Sequence, residues 1–218
     1  PIIVIMIMVS VIGTFGLNFS IYISTMATIE FHRGAGEFGF LSSVMAIGSV
    51  AGALLSARRE RPRLRVIFAS AFFFGLACLI AALMPTFELF AVALMLVGLT
   101  SLSFMTTANA FVQTTVKPAM RGRVMALYLA IFVGGTPIGA PLAGWVVNQF
   151  GPRWGLGVAV AAGLLAALVC LFWMVRYQNL RVRYRKGLRP LRVSYGHQTN
   201  RALATQEIAI VEAEAQRS

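Results

Sequence analysis

The sequence predicts an all-α, polytopic membrane protein of six transmembrane helices. Three observations predict it. The 218 residues are 58% hydrophobic and 12% charged, half the charge of a soluble domain at about 25%. Six nearly uncharged apolar runs, each near the roughly 20 residues that cross a bilayer, fill most of residues 1–175. Seventeen of the nineteen Lys and Arg residues fall in three places, with two apolar runs between each consecutive pair. Cytoplasmic loops retain Lys and Arg and loops on the far side lack them. Two spans between basic stretches return the chain to the same side each time.

The elements follow in order. Span one is predicted over residues 2–28. A loop, 29–37, follows with Glu30, His32, Arg33 and Glu37. Span two, 38–57, ends at the basic run Arg58–Arg65, where Pro62 and the charges stop a helix. Span three covers 66–84 and turns at Pro85-Thr86-Phe87-Glu88. Span four covers 89–116. Lys117-Pro118-Ala119-Met120-Arg121-Gly122-Arg123 is the second basic loop. Span five covers 124–149, Gly151-Pro152-Arg153 is a tight turn, and span six covers 154–175. Five cations lie in the first basic stretch, three in the second and nine after Val175. The opposite side holds Arg33 and Arg153. The last span therefore ends in the cytoplasm, and 176–218 reads as a basic, largely disordered cytoplasmic tail. An anionic leaflet attracts such a segment by about 1 kcal/mol per cation near its surface.

Several function classes are excluded at this stage. The net charge of +12 invites a nucleic-acid partner, but the cations flank spans and do not form one soluble face. Cys78 and Cys170 lie inside spans, where free Cys acts as a small hydrophobe, so neither a disulfide nor a metal site is expected. No catalytic triad, phosphate loop or dinucleotide fingerprint is present, so no cofactor and no enzyme activity are expected. The chain opens at Pro1 inside an apolar run, without an initiator Met or a signal peptide's positive leading region. This predicts a piece whose upstream half is missing.

The spans differ in polarity. Spans three and six are almost wholly apolar and are expected to face lipid. Thr14, Asn18, Tyr22 and Thr25 recur at +4, +4 and +3 in span one, forming one helical stripe. Span four carries Thr100, Ser101, Ser103, Thr106, Thr107, Asn109, Gln113 and Thr114. Hydroxyls can bond back to their own helix, but amides in hydrocarbon need partners. Asn18, Tyr22, Thr25, Thr106, Asn109, Gln113 and Thr136 are therefore the candidate cavity residues. Span five holds Gly134, Gly135, Pro137, Gly139, Pro141 and Gly144 within eleven residues. Its small residues permit close approach and its prolines favour a kink, so it is the candidate gate. The small pairs Gly48/Gly52 and Ala159/Gly163 are weaker signals of the same kind. The chain has no Asp, and near the outer side the acidic residues are Glu30, Glu37 and Glu88. A solvated loop is the expected setting for Glu30 and His32.

Six spans, short basic loops after spans two and four, and a Gly/Pro-rich fifth span resemble the C-terminal half of a major facilitator superfamily transporter. The run Arg121-Gly122-Arg123-Val124-Met125-Ala126-Leu127-Tyr128, with Gly134–Gly139 and Leu142-Ala143-Gly144-Trp145 after it, is similar to the bacterial drug- and siderophore-exporter branch, the enterobactin-exporter-like permeases. The resemblance covers residues 1–175. It implies that the spans are the second set of six, with spans one, two, four and five around a central cavity. It implies an efflux permease of the bacterial inner membrane that exports a small molecule by alternating access, paired with an N-terminal six-helix half. Arg58, Arg59, Arg121 and Arg123 would be the cytoplasmic loop residues. The family's Asp after the glycine of the loop between the second and third spans is absent from Gly52-Ala53-Leu54-Leu55-Ser56-Ala57, which removes the usual charge relay from that loop. An importer of the same fold and a non-transporting six-span scaffold are the alternatives. The inner loops are too short for a membrane domain that reaches an ATPase.

Overall fold

The computed structural model describes residues 2–58 and 62–177. Arg59 of the candidate set and the tail beyond 177 lie outside them. Among the described residues all regular structure is helical. Six of the helical segments in the described residues are long and apolar enough to cross a membrane. The chain divides into two units, Pro1–Leu171 and Phe172–Ser218. The described part of the second is the end of the last helix.

Span one is not one helix. It comprises α1 (Ile2–Val11), a π turn (Ile12–Gly16), a break at Leu17 and Asn18, α2 (Phe19–Thr25) and a second π turn (Met26–Glu30). The other spans are α3 (Ala35–Ala57), α4 (Leu64–Leu83), α5 (Phe87–Thr115), α6 (Arg121–Phe150) and α7 (Pro152–Tyr177). Their ends follow local chemistry. Glu37 accepts a hydrogen bond from the Gly34 N–H at 3.1 Å at the start of α3. Thr86 Oγ1 accepts from the Leu89 N–H at the start of α5. Gly151, at φ 97°, ends α6 in a conformation that suits glycine. Pro152 then opens α7, where its missing N–H costs nothing.

One expectation needs correction. Arg121 and Arg123 are not loop residues. A short 3₁₀ turn, Pro118–Met120, leads straight into α6, so both arginines sit in its first turn. Pro118 cannot belong to the interior of α5, and α6 restarts three residues later. A break that the sequence reading did not foresee lies elsewhere. α6 runs helical from Arg121 to Phe150 through Pro137 and Pro141, and the break lies in span one.

Helix packing rests on small residues, as expected where lipid supplies no hydrophobic contrast. α3 crosses α5 at Gly48, Gly52 and Gly98. A Cβ at these would overlap the carbonyl oxygens of Met95, Leu99 and Met45 respectively. The Gly48/Gly52 pair, a weak signal in the sequence, is thus a principal contact. α4 meets α7 where a Cβ at Gly163 would lie 2.7 Å from the Gly75 backbone. Span one is the most enclosed, with Ile5, Met8, Tyr22 and Met26 at 0% exposure. α3 and α6 are the least enclosed, with 17% and 11% of their most apolar stretches buried.

Candidate functional site

The polar stripe of span one repairs the span's own break. A broken helix leaves carbonyls without N–H partners, and hydrocarbon offers no water to replace them. Asn18 Nδ2 donates to the Thr14 carbonyl at 2.7 Å, and the Tyr22 hydroxyl donates to the Phe15 carbonyl at 2.6 Å. The Asn18 carbonyl takes the Ile21 and Tyr22 N–H groups, restarting the helix. Both side chains are buried, Asn18 at 5% exposure and Tyr22 at 0%. Thr25 bonds back to the Ile21 carbonyl at 2.7 Å. The +4, +4, +3 spacing that marked these residues therefore has a structural origin. The structure turns Asn18 and Tyr22 inward, onto backbone.

The break docks on α6. Gly135, Gly139, Ala143 and Val147 form a buried stripe spaced by four, with Tyr128 buried seven residues before it. A Cβ at Gly135 would overlap Thr14 Oγ1, and one at Gly139 would overlap the Thr14 carbonyl oxygen and lie 3.1 Å from Asn18 Nδ2. The two glycines let the π turn and its repairing amide sit against α6. Other parts of the same cluster have a different role. Gly134 and Gly144 have no neighbour within 4 Å of an added Cβ. Thr136, Pro137 and Pro141 are exposed on α6. One face of α6 is packed on span one and the other is open.

On α5 the hydroxyls are satisfied locally. Thr106 Oγ1 donates to the Leu102 carbonyl and Thr107 Oγ1 to the Ser103 carbonyl, each at 2.7 Å. Ser103 Oγ instead reaches across to the Gly52 carbonyl on α3 at 3.2 Å. Asn109, half-buried, and Gln113, exposed, pair with each other, Gln113 Nε2 donating to Asn109 Oδ1. That bond uses the Asn109 carbonyl and one Gln113 N–H and does not involve the Asn109 amide N–H groups or the Gln113 carbonyl. Depth separates the candidates. At 1.5 Å per residue, Asn109 lies about 12 Å and Gln113 about 18 Å from the midpoint of α5, toward Lys117. The hydrocarbon half-thickness is about 15 Å, so Gln113 reaches the interface. Thr136 and Asn18 fall near the midpoints of their spans.

A concavity of about 320 Å³ opens between α3 and α5 at the basic-loop end. Ala53, Ser56, Pro62 and Ala110 line it together with Thr106 and Thr107. Ser56 Oγ is buried there without a hydrogen-bond partner among the described residues. Nothing in the spacing of residues singled out Ser56, because a lone serine in a membrane helix usually bonds to its own backbone.

The opposite end is tied shut. Arg153 Nε donates to Glu30 Oε1 at 2.7 Å, and its Nη1 donates to the Ala82 carbonyl at 3.1 Å. One arginine thus joins the ends of span one and α4 to the start of α7. Beside it Phe31 packs edge-on against Phe87 and lies 5.5 Å from Phe90, with the Arg33 guanidinium over the Phe87 ring. Glu30 is therefore ion-paired and not a residue of a free solvated loop. A signal for this was present: the outer side carried two cations and three acids, all near span ends. Among the described residues no group of His, Cys, Asp and Glu is placed to hold a metal ion.

The structure defines a helical, multi-pass membrane protein whose helices pack through small residues on one face and lie open on another. Its sequence matches the model of the Major Facilitator Superfamily over residues 3–208, and the chain belongs to that transporter family. It is 31% identical to the enterobactin exporter EntS of Citrobacter koseri over 161 residues, 72% of this chain and 38% of that protein. Crystal structures of the peptide transporter POT, one mutant form solved with sulfate and with alafosfalin, superpose on 99% of this chain. Their TM-scores are 0.64 and 0.61 at 12% identity, over 44% of the POT chain. At that identity the likeness is one of fold. The chain spans less than half the length of these proteins.

Proposed function

We propose that the chain is the C-terminal half of an efflux permease of a bacterial inner membrane. It exports a small, partly apolar compound by alternating access, as a secondary transporter. The observation that carries this reading is the division of faces. α6 is locked to span one through Gly135 and Gly139 while the face bearing Thr136, Pro137 and Pro141 is open, and α3 is nearly as unenclosed. Those two helices are the natural seam with a second six-helix half, with the substrate between. The exporter relative supports the direction of transport. Thr136 at mid-depth, Thr106 at the α3–α5 concavity, and the paired amides of Asn109 and Gln113 nearer the basic loops are this half's polar share of the path. Asn18, Tyr22 and Thr25 set the shape of that path from behind, through span one. The Gly/Pro face of α6 serves as the gate. Arg58, Arg59, Arg121 and Arg123 face the cytoplasm as topogenic charges, and the tail lies on the same side. The described spans carry no carboxylate away from their ends, so a proton-coupling acid, where coupling is to protons, belongs to the other half.

The test is transport in inside-out and right-side-out vesicles, with the full-length protein and its Asn109→Leu and Thr136→Leu variants. Export predicts substrate uptake into inside-out vesicles, falling at least tenfold in either variant while membrane insertion persists. Unchanged transport by both variants removes these residues from the path. Uptake into right-side-out vesicles alone makes the protein an importer, and transport in neither vesicle favours a scaffold.

A further inference from the structure

A groove of about 480 Å³ runs along the joint of α4 and α5, away from the concavity described above. Val66, Phe73 and Leu76 of α4 face Leu96 and Leu99 of α5 across it, and Arg65 stands at one end. Polar side chains also line it, but they are already committed. Ser70 Oγ donates to the Val66 carbonyl at 2.8 Å, Thr100 Oγ1 to the Leu96 carbonyl at 2.7 Å, and Ser103 Oγ to Gly52. The groove therefore offers methyl and methylene surface, which suits hydrocarbon and not a polar solute.

Its rim is apolar and exposed, with Phe73 at 53% and Leu96 at 46%. From Arg65 to Ile80 the groove follows about 22 Å of helix. One leaflet's hydrocarbon is about 15 Å deep and its headgroup layer about 6 Å more. That length matches one extended acyl chain and its headgroup within a single leaflet. Arg65 is the charged residue in the lining and stands at the start of α4, two residues after Arg63, while the α4 lining ends at Ile80.

We propose that the α4–α5 groove binds one anionic phospholipid, its acyl chain along Phe73 and Leu76 and its phosphate at Arg65. The lipid would fill the joint of two helices that also meets the cross-helix bond from Ser103 to Gly52, and so would brace α5 against α3.

Native mass spectrometry tests this on the full-length protein, delipidated in detergent and titrated with phosphatidylglycerol, phosphatidylethanolamine or diacylglycerol. One phosphatidylglycerol should be retained, with phosphatidylethanolamine weaker and diacylglycerol weakest. Arg65→Gln should weaken phosphatidylglycerol about fivefold, the effect of one surface cation, and Ala69→Trp should block it by filling the groove. Equal retention of the three lipids by the unaltered protein overturns the proposal. So does undiminished phosphatidylglycerol binding in Ala69→Trp, the result expected if another helix of the protein covers the groove. The headgroup series needs no variant, so a misfolded Arg65→Gln leaves the decision intact.

Discussion

At the scale of residues, Asn18 and Tyr22 show how a polar side chain in a membrane span can be explained by backbone. Their partners are the Thr14 and Phe15 carbonyls, groups that no water could satisfy at that depth. Tyr22→Phe keeps the ring and removes the donor. It should lower stability by about 1 kcal/mol, read from the unfolding midpoint in mixed micelles. An unaltered midpoint would mean that the Phe15 carbonyl finds another donor. Glycines divide in the same way. Gly139→Ala forces a Cβ into the Thr14 carbonyl and should destabilise by about 1–3 kcal/mol or more, the range for overpacking. Gly134→Ala meets open space and should be near neutral, or slightly stabilising through helix propensity. Equal effects of the two substitutions would refute the packing of α6 on span one.

At the scale of elements, span one and α6 respond differently to their helix-weakening residues. The proline-rich span stays helical, and the span with Gly13, Gly16 and Asn18 breaks. A proline removes one N–H and displaces one carbonyl contact. Two glycines followed by an asparagine weaken the helix and offer a side chain that substitutes for the lost bond. The latch at the outer end joins three elements, yet its charges are partly wet, the side chains being 38% and 28% exposed. Arg153→Ala should therefore cost under about 1 kcal/mol in stability, with the difference from the unaltered protein shrinking as salt is raised. A loss of several kcal/mol, insensitive to salt, would show the pair to be shielded from water.

At the scale of the whole molecule, the charge pattern sets a topology that labelling can check. Cysteines placed at Ala57 and Ala119 should react with an impermeant maleimide from one face of the membrane, and cysteines at Glu88 and Gly151 from the other. Any of the four labelled from the wrong face would undo the six-span arrangement. Native Cys78 and Cys170, buried at 0% exposure, should label only after denaturation. The unenclosed α3 and α6 extend the same logic to assembly. Apolar helices with one packed face and one open face find their remaining neighbours outside the described residues, in lipid or in a further set of helices.

What the sequence determined by itself was the number of spans, their approximate limits and the small-residue contact on α6. Hydropathy, cation placement and spacing by four are local properties that survive any arrangement of the helices. Tertiary structure decided what each polar residue does. Asn18 looks like a cavity residue until the Thr14 carbonyl and Gly139 are seen against it. Glu30 looks solvated until Arg153, 123 residues away, is folded back beside it. Gly48 and Gly52 look ordinary until Met95 and Leu99 arrive opposite. A side chain's partner in a membrane is fixed by which helix lies across from it. That choice depends on contacts between residues far apart in the chain, which periodicity along one helix does not record.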